Sequence, residues 1–242
     1  MKWVRSGLIM AGVALAIGAA VPLAASAGAA PEAPAGQQPV IIDGQLAKSG
    51  PWAARLFVDG QEACSATIIA PTWILTAEHC VARSGTYTFR IGSLDQTSGG
   101  TKATGVNIVK HDSADLALVE LDQAVTAEYS RLGSETDVAV GQTVQVYGWG
   151  ATCTDQPESN CQSQFLKYAN VDVSAVDCSD YRGGIAVCAT RNDGITAGGD
   201  SGGPMFSNGV QVGVASTSNR ATSTAYTNVT QYRDWISSVA GV

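Results

Sequence analysis

The sequence predicts an all-β protein, and three observations favour that class. Short runs rich in Val, Ile, Thr and Tyr recur after residue 41 between Gly, Ser, Asn and Asp residues, as in strands joined by turns in a barrel or sandwich. Apolar and polar residues alternate in 144–146 and 210–212, which is the period of a half-buried strand. Charged residues make up only 14% of the chain and apolar residues 45%, so a packed core is expected rather than disorder.

The first forty residues are predicted to be a targeting segment that precedes the fold. Two basic residues lie ahead of an apolar stretch, residues 8–23, and Ala25-Ser26-Ala27 follows it. This arrangement is typical of a secretory signal peptide, here residues 1–27. Residues 28–40 are rich in Ala, Pro, Gly and Gln and are interpreted as a linker or pro-segment. A membrane anchor is the alternative, but the apolar stretch is short and Ala/Gly-rich, so no membrane association of the mature protein is expected.

The body of the chain, residues 41–242, contains runs that are predicted strands and one predicted helix. The runs are Thr67–Thr76, Thr86–Gly92, Leu116–Leu121, Thr143–Trp149, Val171–Ser174 and Val210–Ala215. Near the C-terminus, Tyr232, Trp235 and Ile236 follow the i, i+3, i+4 spacing of an amphipathic helix. We expect a helix within residues 230–242 that packs its apolar face on the body.

The charge and the cysteine content exclude several classes of function. Acids outnumber bases by 21 to 14, whereas a nucleic-acid-binding module would present a basic face, so no nucleic-acid partner is expected. Two His residues are too few for a zinc site built from several imidazoles, and neither a metal nor another cofactor is expected. Six Cys in a secreted chain favour disulfides, with fifteen possible pairings. Pairing between sequence neighbours would give Cys64–Cys80, Cys153–Cys161 and Cys178–Cys188.

Three short motifs contain the side chains of an activated nucleophile. A Thr-Ala-Glu-His-Cys motif contains His79, an Asp-Leu-Ala-Leu motif begins at Asp115, and a Gly-Asp-Ser-Gly-Gly-Pro motif contains Ser201. A serine hydroxyl needs an adjacent base, and imidazole suits that task because its unperturbed pKa is about 6.5. A carboxylate behind the imidazole fixes its tautomer. The backbone N–H groups of Gly199 and Ser201 are candidates for binding a developing oxyanion.

The order of these side chains along the chain separates the possible classes of hydrolase. Residues 199–203 also match the G-x-S-x-G motif of α/β-hydrolases, in which the order is Ser, acid, His. No His follows residue 111, so an enzyme of that class would have no base. The subtilisin order could use Asp43 or Asp59 but would need an α/β fold. The order His, Asp, Ser is that of chymotrypsin.

Nearly all of residues 41–242 resemble the trypsin/chymotrypsin-like family of secreted serine endopeptidases, in its compact bacterial form. Six markers in the family's order carry the resemblance: Ile41–Gly44, Thr76–Cys80, Asp115–Leu118, Tyr147–Gly150, Gly199–Pro204 and Asp234–Ile236. The resemblance implies two six-stranded antiparallel β-barrels with the active site in the cleft between them. The first barrel would span about 41–140 and the second about 141–229.

The resemblance implies a role for each site residue. His79 acts as general base and then general acid, Asp115 orients it, and Ser201 attacks the substrate to form an acyl-enzyme. Gly199 and Ser201 bind the oxyanion through their N–H groups. The implied partners are protein or peptide substrates and protein protease inhibitors, and we expect a monomer.

The resemblance also bears on activation and on the disulfides. In the family, a freed N-terminal amine pairs with the Asp just before the nucleophile, which corresponds here to Ile41 and Asp200. This implies a zymogen that becomes active once the bond after Val40 is cut. The pairs Cys64–Cys80 and Cys178–Cys188 match family disulfides.

The residues that correspond to the family's specificity pocket depart from the trypsin pattern. Ile195 stands where trypsin-like members carry an Asp, so the pocket offers no charge partner to Lys or Arg. Ser218 and Thr224 add bulk where Gly is usual, and Ala197 replaces a pocket Cys. We therefore expect elastase-like cleavage after small or medium apolar residues. The expected pocket residues are Ile195, Thr196, Ser216, Thr217, Ser218 and Thr224.

Three alternatives remain at this point. The segment from Cys188 to Ser201 is shorter than in typical animal members, so the resemblance leaves the register of the pocket residues open. Asp193 lies nearby, and trypsin-like specificity would follow if its side chain entered the pocket. A non-catalytic protease-like binding protein is the second alternative, and a hydrolase of small esters is the third. Calcium binding is not expected, since residues 92–102 offer only Asp95 as an acid.

Overall fold

The structure is a computed structural model that describes residues 41–242. The predicted signal peptide and pro-segment, residues 1–40, lie outside the described residues. Within the described range, no helix is both long and apolar enough to cross a membrane. The strands and the α-helix are β1 (Gln45–Leu46), β2 (Ala53–Val58), β3 (Gln61–Ala70), β4 (Trp73–Thr76), β5 (Tyr87–Ile91), β6 (Thr101–Lys110), β7 (Ala117–Leu121), β8 (Thr143–Gly148), β9 (Lys167–Ser179), β10 (Ile185–Arg191), β11 (Pro204–Ser207), β12 (Val210–Ser218), β13 (Ser223–Asn228) and α1 (Arg233–Ala240).

The first barrel is a closed antiparallel sheet with the strand order β2-β3-β4-β7-β6-β5. Short turns join β2 to β3 and β3 to β4. β2 closes the barrel by pairing with both β3 and β5. Aliphatic and aromatic side chains that are at most 1% exposed fill its interior: Leu56, Ile68, Ile74, Leu75, Phe89 and Leu118. Burial of these side chains stabilises the closed barrel, because each Å² of apolar area removed from water contributes about 25 cal/mol to the free energy of folding.

The prediction of one strand over Thr67–Thr76 was wrong. The chain turns at residues 71–72, and two antiparallel strands, β3 and β4, replace the single run. Pro71 explains the break, because proline has no N–H to donate to a sheet ladder.

The second barrel closes in the order β8-β9-β10-β13-β12-β11, since β8 pairs with both β9 and β11. The predicted pair of six-stranded antiparallel barrels is therefore confirmed. The boundary between them differs from the prediction, because β1 pairs with β9 of the second barrel. Ile41 is fully buried in the second core, so residues 41–46 belong with the second barrel rather than the first.

The disulfides and the C-terminal helix hold segments of the two barrels in place. Cys64–Cys80, Cys153–Cys161 and Cys178–Cys188 are all formed, as expected. Helix α1 is shorter than the predicted 230–242 and ends at Ala240. Gly241 caps it, with a φ of 76° in the left-handed conformation that is common after the last helical residue. Ile236 of α1 is fully buried in the core of the first barrel, so the helix packs as its apolar stripe predicts.

Candidate active site

A hydrogen-bonded pair of side chains, His79 and Asp115, lies where two segments of the first barrel meet. His79 follows β4 in the 3₁₀-helix Glu78–Val81, and Asp115 lies just ahead of β7. His79 Nδ1 is 2.7 Å from Asp115 Oδ2, and the His79 backbone N–H donates to Asp115 Oδ1 at 3.0 Å. The carboxylate is fully buried and the imidazole is 28% exposed. Because Nδ1 is occupied by the carboxylate, Nε2 is the ring nitrogen available to accept a proton.

The carboxylate of Asp115 is held ionised by its hydrogen bonds. Burial opposes the charged form, but hydrogen bonds from His79 and Ser216 and the charge of His79 lower the pKa of Asp115 below its usual value. The Ser216 hydroxyl donates to Asp115 Oδ2 at 2.6 Å. The backbone N–H of Asp115 donates to Asp180 Oδ2 at 2.8 Å, and Thr227 Oγ1 donates to its carbonyl at 3.1 Å. The position of this carboxylate is therefore fixed from both barrels.

Sequence reasoning assigned Ser216 to the substrate pocket and did not find its hydrogen bond to Asp115. It also missed Asp180, whose carboxylate accepts from the Asp115 backbone N–H. Ser216 lies on β12, 101 residues beyond Asp115. No spacing in the sequence could have indicated the contact, because it exists only once the two barrels pack together.

Ser201 lies in the turn ahead of β11 and is placed by the first barrel. Its carbonyl accepts a hydrogen bond from the Ser65 N–H at 2.8 Å. Ser201 and His79 line one cleft of about 290 Å³. Among the described residues, the Ser201 hydroxyl has no hydrogen bond to His79 Nε2, a contact that is often loose in unliganded enzymes and tightens with substrate.

Two backbone N–H groups beside Ser201 are free to donate. Within residues 41–242, the N–H groups of Gly199 and Ser201 have no acceptor. Gly199 has a φ of +99°, and a Cβ at this position would collide with the side-chain amide of Gln162. Only glycine fits this backbone conformation and this close approach.

Asp200 is a fully buried carboxyl group between the two candidate N–H donors. Burial raises the pKa of Asp200 to about 6, although hydrogen bonds from the N–H groups of Ala197 and Gly150 lower it. These two hydrogen bonds measure 2.9 Å and 2.7 Å. Among the described residues, no cationic side chain lies within ion-pair distance of its oxygens. The charge on this group is therefore uncompensated by a direct partner.

A chain of hydroxyl groups joins the walls of the cleft beyond Ser201. Thr196 Oγ1 donates to Thr224 Oγ1 at 2.7 Å, and Thr224 Oγ1 donates to the Thr217 carbonyl at 3.0 Å. Ser218 Oγ donates to the Thr196 carbonyl at 2.8 Å. The cleft is lined by five of the residues that the resemblance assigned to the substrate pocket: Thr196, Ser216, Thr217, Ser218 and Thr224.

Two residues that sequence reasoning placed at or near the pocket lie elsewhere. Ile195 is not among the lining residues. It is fully buried in the second core, and its N–H donates to the Ile42 carbonyl at 3.1 Å. The carboxylate of Asp193 accepts hydrogen bonds from the backbone N–H and the side chain of Asn170 and does not line the cleft. An isolated bridge between Ile42 and Ile195 holds Ile195 against the second core.

A charged pair at the edge of the cleft was not predicted. Arg220 lines the cleft, and its Nη2 donates to Glu158 Oε2 at 3.0 Å, with a second contact from Nε to Oε1. The hydrogen bond from Arg220 is the main reason that the pKa of Glu158 is lowered. Glu158 also accepts from the Gly198 N–H at 3.1 Å. The pair therefore braces the loop that precedes Ser201.

Comparisons with known proteins agree on one family. The sequence profile described as Trypsin matches residues 41–236. Brachyurin from Leptuca pugilator is 32% identical over 222 residues, which cover 80% of this chain and 95% of that protein. Chymotrypsin-like elastase family member 1 from Felis catus is 30% identical over 239 residues, covering 82% of this chain and 89% of that protein. The structure of neuropsin, a serine protease expressed in the limbic system of mouse brain, has a TM-score of 0.70 at 25% identity and covers 82% of this chain and 99% of that chain.

Proposed function

The chain belongs to the trypsin family and is a serine endopeptidase with protein or peptide substrates, and we propose that Ser201 is its nucleophile and that it cleaves after small or medium apolar residues. One observation carries the assignment of the nucleophile: the His79–Asp115 hydrogen bond lies in the same cleft as Ser201. A serine beside an oriented imidazole is the arrangement needed for acyl transfer.

The proposed reaction begins with the transfer of one proton. His79 Nε2 takes the proton of Ser201 Oγ as this oxygen bonds to the substrate carbonyl carbon, and Asp115 stabilises the imidazolium. The carbonyl oxygen becomes an oxyanion, which the N–H groups of Gly199 and Ser201 bind. His79 then gives its proton to the leaving amine as the C–N bond breaks. A water molecule repeats the sequence on the acyl-enzyme and releases the acid.

The preference for small apolar residues is supported by the hydroxyl bridge between Thr196 and Thr224. The bridge joins two lining residues of the cleft, and their methyl and hydroxyl groups occupy space that two glycines would leave open. Each of the hydroxyl protons of Thr196, Thr224 and Ser218 already has an acceptor, so an apolar side chain would leave no donor unpaired. No acidic side chain lines the cleft among the described residues, and a bound Lys or Arg would be desolvated without a partner.

We also propose that cleavage after Val40 activates the enzyme. Asp200 is buried without a direct cationic partner, and a freed amine at Ile41 would supply one. Secretion is supported by the leader pattern in the sequence and by the three disulfides. A protein inhibitor as partner and a monomeric state remain expectations of the proposal.

The test combines N-terminal sequencing of the exported protein with a panel of peptide substrates that differ only in the residue before the cleaved bond. We expect an N-terminus at Ile41, highest kcat/KM for Ala or Val, and loss of kcat by at least about 10⁴-fold in Ser201→Ala. A strong preference for Arg or Lys would refute the pocket assignment. Full activity of a chain that retains residues 28–40 would refute the activation step.

Two alternatives are outcomes of the same experiment. An organophosphate that fails to label Ser201 in the processed protein, together with no hydrolysis, would indicate a non-catalytic binding protein. Hydrolysis of small esters without cleavage of any peptide would indicate an esterase.

A further inference from the structure

Arg55 is a buried cation that the proposed reaction does not use. It lies on β2 of the first barrel and is fully buried. Burial lowers the pKa of Arg55 to about 10, while the charges of Glu62 and Asp200 raise it, so the guanidinium is charged at neutral pH. A buried charge is costly unless hydrogen bonds compensate it, and the partners of Arg55 therefore define its role.

The guanidinium of Arg55 spans the two barrels. Nε donates to Gln96 Oε1 at 2.8 Å. Nη1 donates to the Gly199 carbonyl at 3.1 Å, and Nη2 donates to Gln162 Oε1 at 3.0 Å. Glu62 Oε2 lies 3.7 Å from Nη2. Arg55 thus links the glycine segment of the second barrel to the first barrel.

Gln162 extends this link to the next peptide group. Its Nε2 donates to the Gly198 carbonyl at 2.8 Å. Ser65 Oγ is a second donor to the Gly199 carbonyl, at 2.9 Å. The Gly198 carbonyl also accepts from the Ala151 backbone N–H at 2.7 Å. The carbonyl oxygens of Gly198 and Gly199 are therefore held by the Arg55–Gln162 pair together with Ala151 and Ser65.

The direction of the Gly198 carbonyl determines where the Gly199 N–H points. In a trans peptide the C=O and the following N–H point in opposite directions, and the described residues contain no cis peptide. With the carbonyl turned toward Gln162, the Gly199 N–H points to the opposite side, where it has no acceptor among the described residues. Two consecutive glycines have no Cβ to restrict rotation, so external hydrogen bonds must hold this peptide.

We propose that Arg55 is a positioning residue that holds the peptide between Gly198 and Gly199 with its N–H available to the substrate oxyanion. The proposal rests on the proposed function, because an oxyanion forms only when Ser201 attacks a carbonyl. Arg55 touches neither the substrate nor the reacting atoms. Without the Arg55 guanidinium, Gln162 loses its partner and the two carbonyls keep only Ala151 and Ser65 as donors. The peptide is then held less firmly, and the N–H donor is turned away from the oxyanion in part of the enzyme population.

Arg90 provides a matched control in the same barrel. It lies on β5, is 9% exposed, and donates from its guanidinium to three backbone carbonyls, those of Gln96, Thr97 and Gly99. None of these carbonyls belongs to the segment 196–201. Replacement of either arginine by Met removes a buried charge and three hydrogen bonds. Only Arg55→Met removes a hydrogen bond to the Gly198–Gly199 segment.

The experiment compares two ligands of the processed enzyme. Ser201 Oγ adds to the carbonyl carbon of a peptide aldehyde, and the serine hydroxyl proton moves to His79. The former carbonyl oxygen becomes an oxyanion beside the N–H donors. The matching peptide alcohol forms no such bond. For Arg55→Met we expect kcat and aldehyde affinity to fall by about 10- to 100-fold, with KM and alcohol affinity changed by less than about twofold. For Arg90→Met we expect an unchanged ratio of aldehyde to alcohol affinity.

An equal ratio in Arg55→Met and Arg90→Met would overturn the proposal and leave Arg55 a structural residue. If Arg55→Met does not fold, Gln162→Met breaks the link to Gly198, and the same ratio decides. A processed enzyme without substitutions that neither hydrolyses peptides nor binds the aldehyde would instead refute the proposed function.

Discussion

The buried carboxyl group of Asp200 predicts how the stability of the uncleaved chain depends on pH. Burial raises the pKa of Asp200 from 3.8 to about 6, against the hydrogen bonds from Ala197 and Gly150 and the charge of Arg55. Between these two pH values the folded state binds a proton that the unfolded chain has released. The contribution of Asp200 to the free energy of unfolding is therefore fully present below pH 3.8 and is lost as the pH rises through about 6.

The size of the effect follows from the shift in pKa. A rise of about two units, at about 1.4 kcal/mol per unit, corresponds to about 3 kcal/mol. This is a large part of the free energy of unfolding of a typical domain, which is about 5–15 kcal/mol. Carboxylates whose pKa is lowered, such as Asp95, Asp115 and Asp172, act in the opposite sense at lower pH. A comparison of variants is needed to isolate Asp200.

The assay is urea unfolding of Asp200→Asn and its parent from pH 4 to pH 8. Both proteins carry Ser201→Ala, which prevents self-cleavage, and both retain the Val40–Ile41 bond. An Asn amide cannot accept hydrogen bonds at both positions, which adds a cost that does not vary with pH. We expect the stability of the parent relative to the variant to fall by about 2.4 kcal/mol between pH 4 and pH 7, because at pH 4 the unfolded chain has already released part of its proton.

Cleavage after Val40 should remove this pH dependence. An amine at Ile41 would stabilise the carboxylate of Asp200 and lower its pKa, so the slope between pH 4 and pH 6 should vanish or reverse. A difference between parent and variant that stays constant with pH in the uncleaved chain would refute the argument that Asp200 is buried without a direct cationic partner.

Three other substitutions test the site and its supports. Ser216→Ala removes the hydroxyl that donates to Asp115; we expect kcat to fall about 10-fold with KM little changed, and steady-state kinetics with an unchanged kcat would contradict this role. Thr224→Gly removes the bridge to Thr196; kcat/KM for Phe relative to Ala at the cleavage position should rise about 10-fold, whereas an unaltered preference in the peptide panel would exclude a role for the bridge. Replacement of both members of Cys153–Cys161 by Ala should lower the free energy of unfolding by about 2 kcal/mol, measured by urea denaturation, and no loss would mean that the unfolded chain is not restricted by this loop.

The sequence could predict the features that depend on neighbouring residues. Alternation and turn residues indicated the strands, and the helical stripe indicated α1. The short motifs selected His79, Asp115 and Ser201 as candidate site residues, and these stay a proposal. Each of these signals is local, because strand period, helix period and motif spacing are all properties of adjacent residues.

The features that the sequence did not predict depend on contacts between distant segments. Arg55 interrupts an apolar strand without any local sign that it meets Gly199, which lies 144 residues further on. Ile195 was placed in the pocket by its distance from Ser201, but its backbone pairs with Ile42 and joins the core. A resemblance counts positions along the chain, whereas the burial of Ile195 depends on its bridge to Ile42, which lies more than 150 residues away in sequence.

The exchange of chain ends between the barrels affects how the protein unfolds. The N-terminal strand pairs with the second barrel, while the C-terminal helix buries Ile236 in the core of the first. Each half is thus completed by an end of the chain whose nearest neighbours in sequence belong to the other half. The second barrel expressed by itself would lack β1, and the first barrel would lack α1. Division of the chain between the barrels therefore gives two incomplete folds. We therefore expect a single cooperative unfolding transition. Deletion of the last ten residues should destabilise the first barrel, although that barrel is distant from the helix in sequence.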